Sequence, residues 1–253
     1  MIPLRTFCFP FWTTLSGIGL SMLCAMGCAK QGAPVGGPKD TKPPGIDTLR
    51  SSPNFVTRFS GNTIRLTFDE WITLSDVSNQ VLVSPPLTVR PLPDISLRGK
   101  TVTVKFPEGE VLRPNTTYTI HFGSAVKDLH EGNPAANLRY VFSTGDYIDS
   151  LRVKGEVRSA LTGTGVEKIT VALYDNTEDS VVRKQKPTYI AVTGPGGTYL
   201  IENVRAGDYK IAAIEDLSRN LKWEDGNERI AFQSTPLQVR DTLTRVPPLM
   251  LFS

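Results

Sequence analysis

Leu112-Arg113-Pro114-Asn115-Thr116-Thr117-Tyr118-Thr119-Ile120-His121-Phe122 joins a turn to a strand. Proline fixes φ and asparagine tolerates turn geometry, so Arg113-Pro114-Asn115 reads as a corner. From Thr117 the residues alternate, and Tyr118, Ile120 and Phe122 share one face. The same period of two recurs on both sides. Ile64, Leu66 and Phe68 align within 63–68, Val81-Leu82-Val83 follows, and Val102, Val104 and Phe106 align within 101–106. Tyr140-Val141-Phe142 closes the set. Turn signals separate the runs at Ser60-Gly61-Asn62, Ser84-Pro85-Pro86, Arg98-Gly99-Lys100 and Glu131-Gly132-Asn133-Pro134. Short alternating strands with such turns predict an antiparallel β-sandwich over 46–145, each sheet turning one face to the core. A single helical turn is expected at Leu74–Gln80.

A second set of strands follows a short joint at Asp146–Ser150: 151–157, 169–174, 189–192, 199–201 and 209–214. These predict a second β-sandwich over 146–253. Gly194-Pro195-Gly196-Gly197 lies between two of its strands and reads as a hairpin turn. A phosphate loop would need a following Lys-Ser/Thr and a helix start, and neither is there. The fold class is therefore all-β, with two consecutive sandwiches.

Residues carry a resemblance in both halves. Phe68-Asp69-Glu70, the 112–120 stretch, Asp128 with Glu131-Gly132-Asn133, and Phe142-Ser143-Thr144-Gly145 resemble, in order and spacing over about 95 residues, the bacterial Ig-like domain first described in S-layer proteins. The resemblance implies that Tyr118 is a tyrosine corner, a structural residue whose hydroxyl ties back to nearby backbone. Trp71 departs from the small apolar residue expected there and is expected to be partly exposed. Gly197, Tyr199, Ile201, Val204, Gly207, Tyr209, Ile211, Ala213 and Asp216 resemble the transthyretin-like (carboxypeptidase-regulatory-like) sandwich, in which the Gly-x-Tyr step is structural and the domain has no activity of its own. The combination resembles a group of Gram-negative Ig-like lipoproteins. These are often longer, which implies a C-terminal part beyond the strand-like Leu249-Met250-Leu251-Phe252.

The start of the chain reads as an export signal. Arg5 supplies a short positive region, Thr6–Gly27 is uncharged and largely apolar, and Ala25-Met26-Gly27-Cys28 sets a small residue before a cysteine. Signal peptidase requires small side chains at the cut, and the lipoprotein type requires cysteine at the first mature position. Cleavage between Gly27 and Cys28 and lipidation of Cys28 are therefore expected. Ala25 stands where leucine is usual, and Cys24 is a poorer candidate because bulky Leu23 precedes it. The competing reading is an uncleaved spanning helix, which Pro10 and Gly17 weaken. Residues 28–45 are rich in Pro and Gly and read as a tether with a mean reach of roughly 20–25 Å. The expected partner is the outer membrane through the lipid at Cys28, and with no acidic cluster after Cys28 the periplasmic face is favoured over the cell surface.

Little else points to chemistry. The cysteines are Cys8, Cys24 and Cys28, so after cleavage the mature chain keeps no disulfide and no free thiolate. Net charge is +3 without a basic run, which argues against a nucleic-acid partner. The two histidines, His121 and His130, read as surface residues, and neither a Gly-x-Ser-x-Gly elbow nor a His-Glu-x-x-His is present. Asp69-Glu70 and Asp128/Glu131 could pair as glycosidase carboxylates, but they match the fold motif and read as loop or strand-end charges. Asp216, Ser218 and Asn220 alternate like Ca²⁺ ligands, although Arg219, Leu221 and Lys222 intrude, so a solvated acidic loop is the stronger reading. Asp-Ser/Thr-apolar triplets at Thr48, Ser150, Ser180 and Thr242 resemble bacterial O-glycosylation sites. No catalytic residue, cofactor or metal is assigned. The sequence predicts a non-enzymatic envelope protein with a spacer, adhesion or assembly role and an envelope protein or glycan as partner. The alternatives are a carbohydrate- or peptide-binding uptake lipoprotein, for which Trp71 and Trp223 are the available tryptophans, and a non-catalytic enzyme accessory subunit.

Overall fold

The computed structural model describes residues 38–89, 92–224 and 226–252. Gly27, Cys28 and the signal lie outside these residues. Residues 41–253 form one compact unit that holds both sandwiches.

The first sandwich has strands β1 (Thr63–Thr67), β2 (Ile72–Leu74), β3 (Leu82–Ser84), β4 (Asp94–Arg98), β5 (Thr101–Lys105), β6 (Thr117–His121), β7 (Val126–Asp128) and β8 (Arg139–Ser143), with the helical turn α1 (Val77–Gln80) before β3. Its sheets run β1–β5–β4, β3–β6–β8 and β2–β7. The alternating residues meet as expected: Ile64, Leu66, Val102, Val104, Phe106, Tyr118, Ile120, Phe122, Tyr140 and Phe142 are all buried in one cluster. Tyr118 stacks on Phe142 at 5.2 Å between centroids, and its hydroxyl accepts the Arg113 N–H at 2.9 Å. Burial pushes the Tyr118 pKa up. Pro44 is buried, and Gly45 exchanges backbone and side-chain hydrogen bonds with Asp69. The last two residues of the expected tether thus already belong to the fold.

The second sandwich has β9 (Leu151–Ser159), β10 (Thr170–Tyr174), β11 (Tyr189–Val192), β12 (Thr198–Val204), β13 (Gly207–Ile214), β14 (Ile230–Phe232), β15 (Leu237–Val239), β16 (Leu243–Arg245) and β17 (Leu249–Leu251), with one short helix, α2 (Val181–Lys184). One sheet runs β11–β10–β13–β14, with β15 also on β13. The other centres on β9, which carries β12 antiparallel and β16 and β17 parallel. Val153, Val157, Val171, Leu173, Tyr199, Ile201, Ile211 and Ala213 fill the space between the sheets.

One local reading is corrected. Gly194–Gly197 is not a hairpin turn, because β11 pairs with β10 while β12 pairs with β9. The segment is a 3₁₀ crossing from one sheet to the other. Gly197 has φ of 74° and passes so close to β9 that a Cβ would stand 2.3 Å from the Val157 oxygen. Its glycine character serves a close backbone approach.

Gly155 faces Tyr199 across the β9–β12 pair, and a Cβ there would lie 2.5 Å from the Tyr199 hydroxyl oxygen. That hydroxyl is buried and, among the described residues, has no hydrogen-bond partner. Gly155→Ala is expected to destabilise the fold by about 2 kcal/mol through overpacking. Tyr199→Phe should be close to neutral, since it removes an unpaired buried polar atom. Urea unfolding measures both, and in a Tyr199→Leu background the alanine should cost less than half as much.

Candidate functional site

The densest polar construction joins the two sandwiches. In an exposed strand Thr117 and Thr119 would face solvent opposite Tyr118 and Ile120, yet both are about 1% exposed. The second sandwich covers them. Asp149, also buried, sends Oδ2 to the Thr117 hydroxyl, which donates at 2.9 Å, while the Asp149 N–H donates to the same Thr117 oxygen at 2.9 Å. Asn203 completes the seam. Its Nδ2 donates to the Asp149 carbonyl at 2.8 Å, and its Oδ1 accepts the Thr119 hydroxyl at 3.0 Å. Asn203 sits where the β12 register shifts and has φ of 59°. A bulge with a left-handed residue re-aims a side chain, and asparagine pays less for that backbone than most residues.

Flanking contacts widen the seam. Arg205 donates to the Asn115 carbonyl and lies 4.0 Å from Asp149 Oδ1. Arg139 pairs with Glu202. The Ile190 N–H donates to Ser84 Oγ at 3.1 Å, and Lys186 Nζ donates to the Leu87 carbonyl at 3.1 Å. Apolar packing accompanies them: Leu82 of β3 rests on the cluster formed by Ala172, Tyr174, Val182, Ile190 and Ala212. Two open clefts, of about 270 and 800 Å³, border the seam. The larger is lined by His121, Leu138, Arg139, Leu200 and Glu202. His121 is therefore half-buried rather than on the surface as expected from sequence. Burial lowers its pKa, with Glu202 opposing that shift and Arg139 adding to it. His130 is exposed in its loop.

Of the acidic residues singled out in the sequence, Asp69, Asp128 and Asp216 are engaged with backbone. Asp128 Oδ1 accepts the N–H groups of His130, Glu131 and Gly132 at 2.6–3.0 Å, and Oδ2 accepts that of Asn133 at 2.9 Å. The Asp128/Glu131-Gly132-Asn133 motif is thus a carboxylate folding its own loop. Asp69 holds Gly45 in place. Asp216 accepts the N–H groups of Asn220 and Leu221. Buried Glu228 accepts those of Leu217, Ser218 and Glu224. Ser218 and Asn220 place their side chains on Asp216 and Glu224, 3.4 and 2.6 Å away. This loop is a built turn whose Leu217, Ser218, Arg219, Glu224 and Asn227 stay exposed to solvent, while its Leu221 and Trp223 pack over the cluster that also receives Leu82. Among the described residues no group of three or more His, Cys, Asp or Glu is arranged to hold a metal ion.

Trp223 is held by its ring N–H on the Glu228 carbonyl and lies under the Arg183 guanidinium at 4.2 Å, whereas Trp71 is 55% exposed. The two tryptophans do not form a shared platform among these contacts. Of the triplet residues, Thr48, Ser150 and Thr242 are exposed and Ser180 is half-buried at the start of α2.

Residues 40–144 match the family model of the bacterial Ig-like domain. The first sandwich is a bacterial Ig-like domain. Residues 150–243 match the second β-sandwich domain of the BOS complex subunit NOMO1-like family, so the Ig-like domain is followed by a NOMO1-like sandwich. Neither is the model of an enzyme family. No curated protein matches the chain significantly. Among solved structures, the chain is similar to BcpA, the major pilin subunit of Bacillus cereus, at 13% identity and a TM-score of 0.26, covering 82% of this chain and 70% of that one. It is also similar to the group B streptococcus pilus 2b backbone protein at 11% identity and a TM-score of 0.23, covering 79% and 96%. A third is the N-terminal part of the bacterial S-layer protein SbsC, at 14% identity and a TM-score of 0.26, covering 76% and 44%.

The bonding of Asp128 predicts a pH effect. Burial alone would raise its pKa, but the four N–H donors outweigh it and hold the carboxyl below its ordinary 3.8. A depressed folded pKa gives stability that is present above the unfolded value and lost as pH falls through the folded one. Asp128→Asn should therefore lower stability at pH 7 and flatten the loss of stability below about pH 4. Thermal melts from pH 2 to 7 check this.

Proposed function

We propose that this chain is a non-enzymatic envelope protein, in which an Ig-like and a NOMO1-like sandwich act as one stiff spacer or assembly element held to the outer membrane by lipid on Cys28. The observation that carries the structural half is the seam around Asp149. A buried carboxylate, a bulge asparagine and two buried threonines are spent on fixing one sandwich to the other. An extended module that must hold its far end at a set distance needs such a joint, and independent binding domains do not. Asp69, Asp128, Asp216 and Glu228 bond backbone N–H groups and Tyr118 and Trp223 serve packing, which supports a non-catalytic role. The lipid half rests on the small residue before Cys28, the apolar stretch preceding it and the Pro/Gly-rich segment after it. One acyl chain gives only marginal binding, whereas multiple chains on one cysteine give a lasting anchor.

Two measurements test the proposal separately. Mass spectrometry of protein recovered from membranes should find an acylated Cys28 as first residue, and an intact Met1 or unmodified Cys28 would remove the anchor. For the joint, Asp149→Ala should cost about 2 kcal/mol, because it leaves the buried Thr117 hydroxyl proton without its acceptor. It should also open residues 145–150 to limited proteolysis. Equal resistance in native and variant protein would remove the stiff-spacer reading.

A further inference from the structure

β4 is the outer strand of the β1–β5–β4 sheet. Its inner side is taken by β5, in a register running from Asp94↔Lys105 to Arg98↔Thr101. Which β5 groups face it follows from two bonds on the opposite side: Phe68 N–H donates to the Lys100 carbonyl, and Phe106 N–H donates to the Asn62 carbonyl, both at 2.9 Å. Even-numbered residues of this stretch therefore turn their backbone groups to β1, and Thr101, Thr103 and Lys105 turn theirs to β4. Their partners are Arg98, Ser96 and Asp94. Ile95 and Leu97 are left with N–H and C=O aimed outward, and among the described residues no backbone group pairs with that side.

An open edge is usually blunted by charge. Here the charges have opposite sign and stand two residues either side of Ser96, and Asp94, Ser96 and Arg98 are all exposed. The side chains of Ile95 and Leu97 lie against the core on the other face. This arrangement is self-complementary. Under a two-fold axis through Ser96, antiparallel pairing sets Asp94 opposite the partner's Arg98 and Arg98 opposite the partner's Asp94. It also sets Ile95 opposite the partner's Leu97, and these are the residues whose backbone groups point outward to bond. Parallel pairing in register would oppose like charges. We propose that β4 is a homotypic docking edge through which two copies of this chain pair antiparallel about Ser96, fusing two three-stranded sheets into one of six strands. Such a two-fold contact repeats the same patch on both copies. A five-residue strand buries little area, which places the contact in the weak, transient class that co-localisation at high density would populate.

Cross-linking and charge exchange test it in the full-length chain with Cys8, Cys24 and Cys28 replaced by serine, so that the introduced cysteine is the sole thiol. Ser96 and the partner's Ser96 would form the close, non-hydrogen-bonded pair, with Cα atoms about 4.5 Å apart. Ser96→Cys should therefore give a covalent dimer under mild oxidation that neither the cysteine-free parent nor Ser124→Cys gives. Asp94→Arg in the Ser96→Cys background should slow the cross-link about tenfold by opposing two arginine pairs, and the double exchange Asp94→Arg/Arg98→Asp should restore it. Thermal melts confirm that each variant is folded. A Ser96→Cys dimer no faster than the Ser124→Cys one overturns the proposal, as does a double exchange that fails to recover.

Discussion

Asp149 carries its carboxylate into the seam between the sandwiches with 7% of the residue exposed, and both its backbone N–H and its side chain engage the Thr117 hydroxyl. A carboxylate so buried is tolerable only when its oxygens are satisfied. That need fixes the geometry around it. Thr117 must face away from its own core, Asn203 must turn its amide out of β12, and the 145–150 connection must run close to β6. The two domains cannot shift relative to each other without leaving one of these groups unpaired, which costs more than the bond itself contributes.

The rest of the packing is consistent with that constraint. β6 and β13 are buried on both faces, although antiparallel sheets commonly leave one face to water. In β6 the outer face is the seam. In β13 Tyr209, Ile211 and Ala213 point between the sheets, while Ala212 and Ile214 join the cluster over which α2, Trp223 and Leu82 lie. Leu82 belongs to the Ig-like sandwich, so this second cluster is closed partly by the other domain. Hydrophobic closure and the polar seam lie on the same side of the Ig-like domain and reinforce each other.

The two-sandwich fold was legible because its core strands alternate cleanly, as at Ile64, Leu66 and Phe68 or Tyr118, Ile120 and Phe122. Short strands without alternation were not: β2, β7 and β16 have three residues each, and pairing rather than pattern defines them. The seam was also invisible. Thr117 and Thr119 read as ordinary polar-face threonines, because period-two alternation gives a face but not what covers it. Asp149 looked like part of a modification triplet. The one available signal was the position of Asp149 at the end of an interdomain connection beside an exposed-looking Thr-x-Thr. In the exposed loop at 215–228 a charge count does not reveal the backbone donors, and Asp216 and Glu228 place their oxygens on such donors.

Function follows from the joint more than from any pocket. An Ig-like domain fixed to a NOMO1-like sandwich through the outer face of its β3–β6–β8 sheet can set a distance, and the β4 edge, unpaired among the described residues, is proposed as the place where that body meets its like. The central claim is that the two sandwiches move as one. Backbone ¹⁵N relaxation measures this most directly by giving a rotational correlation time for each. The account predicts one shared value and one diffusion tensor for residues 46–145 and 150–252. Distinct, shorter correlation times for the two segments would contradict it.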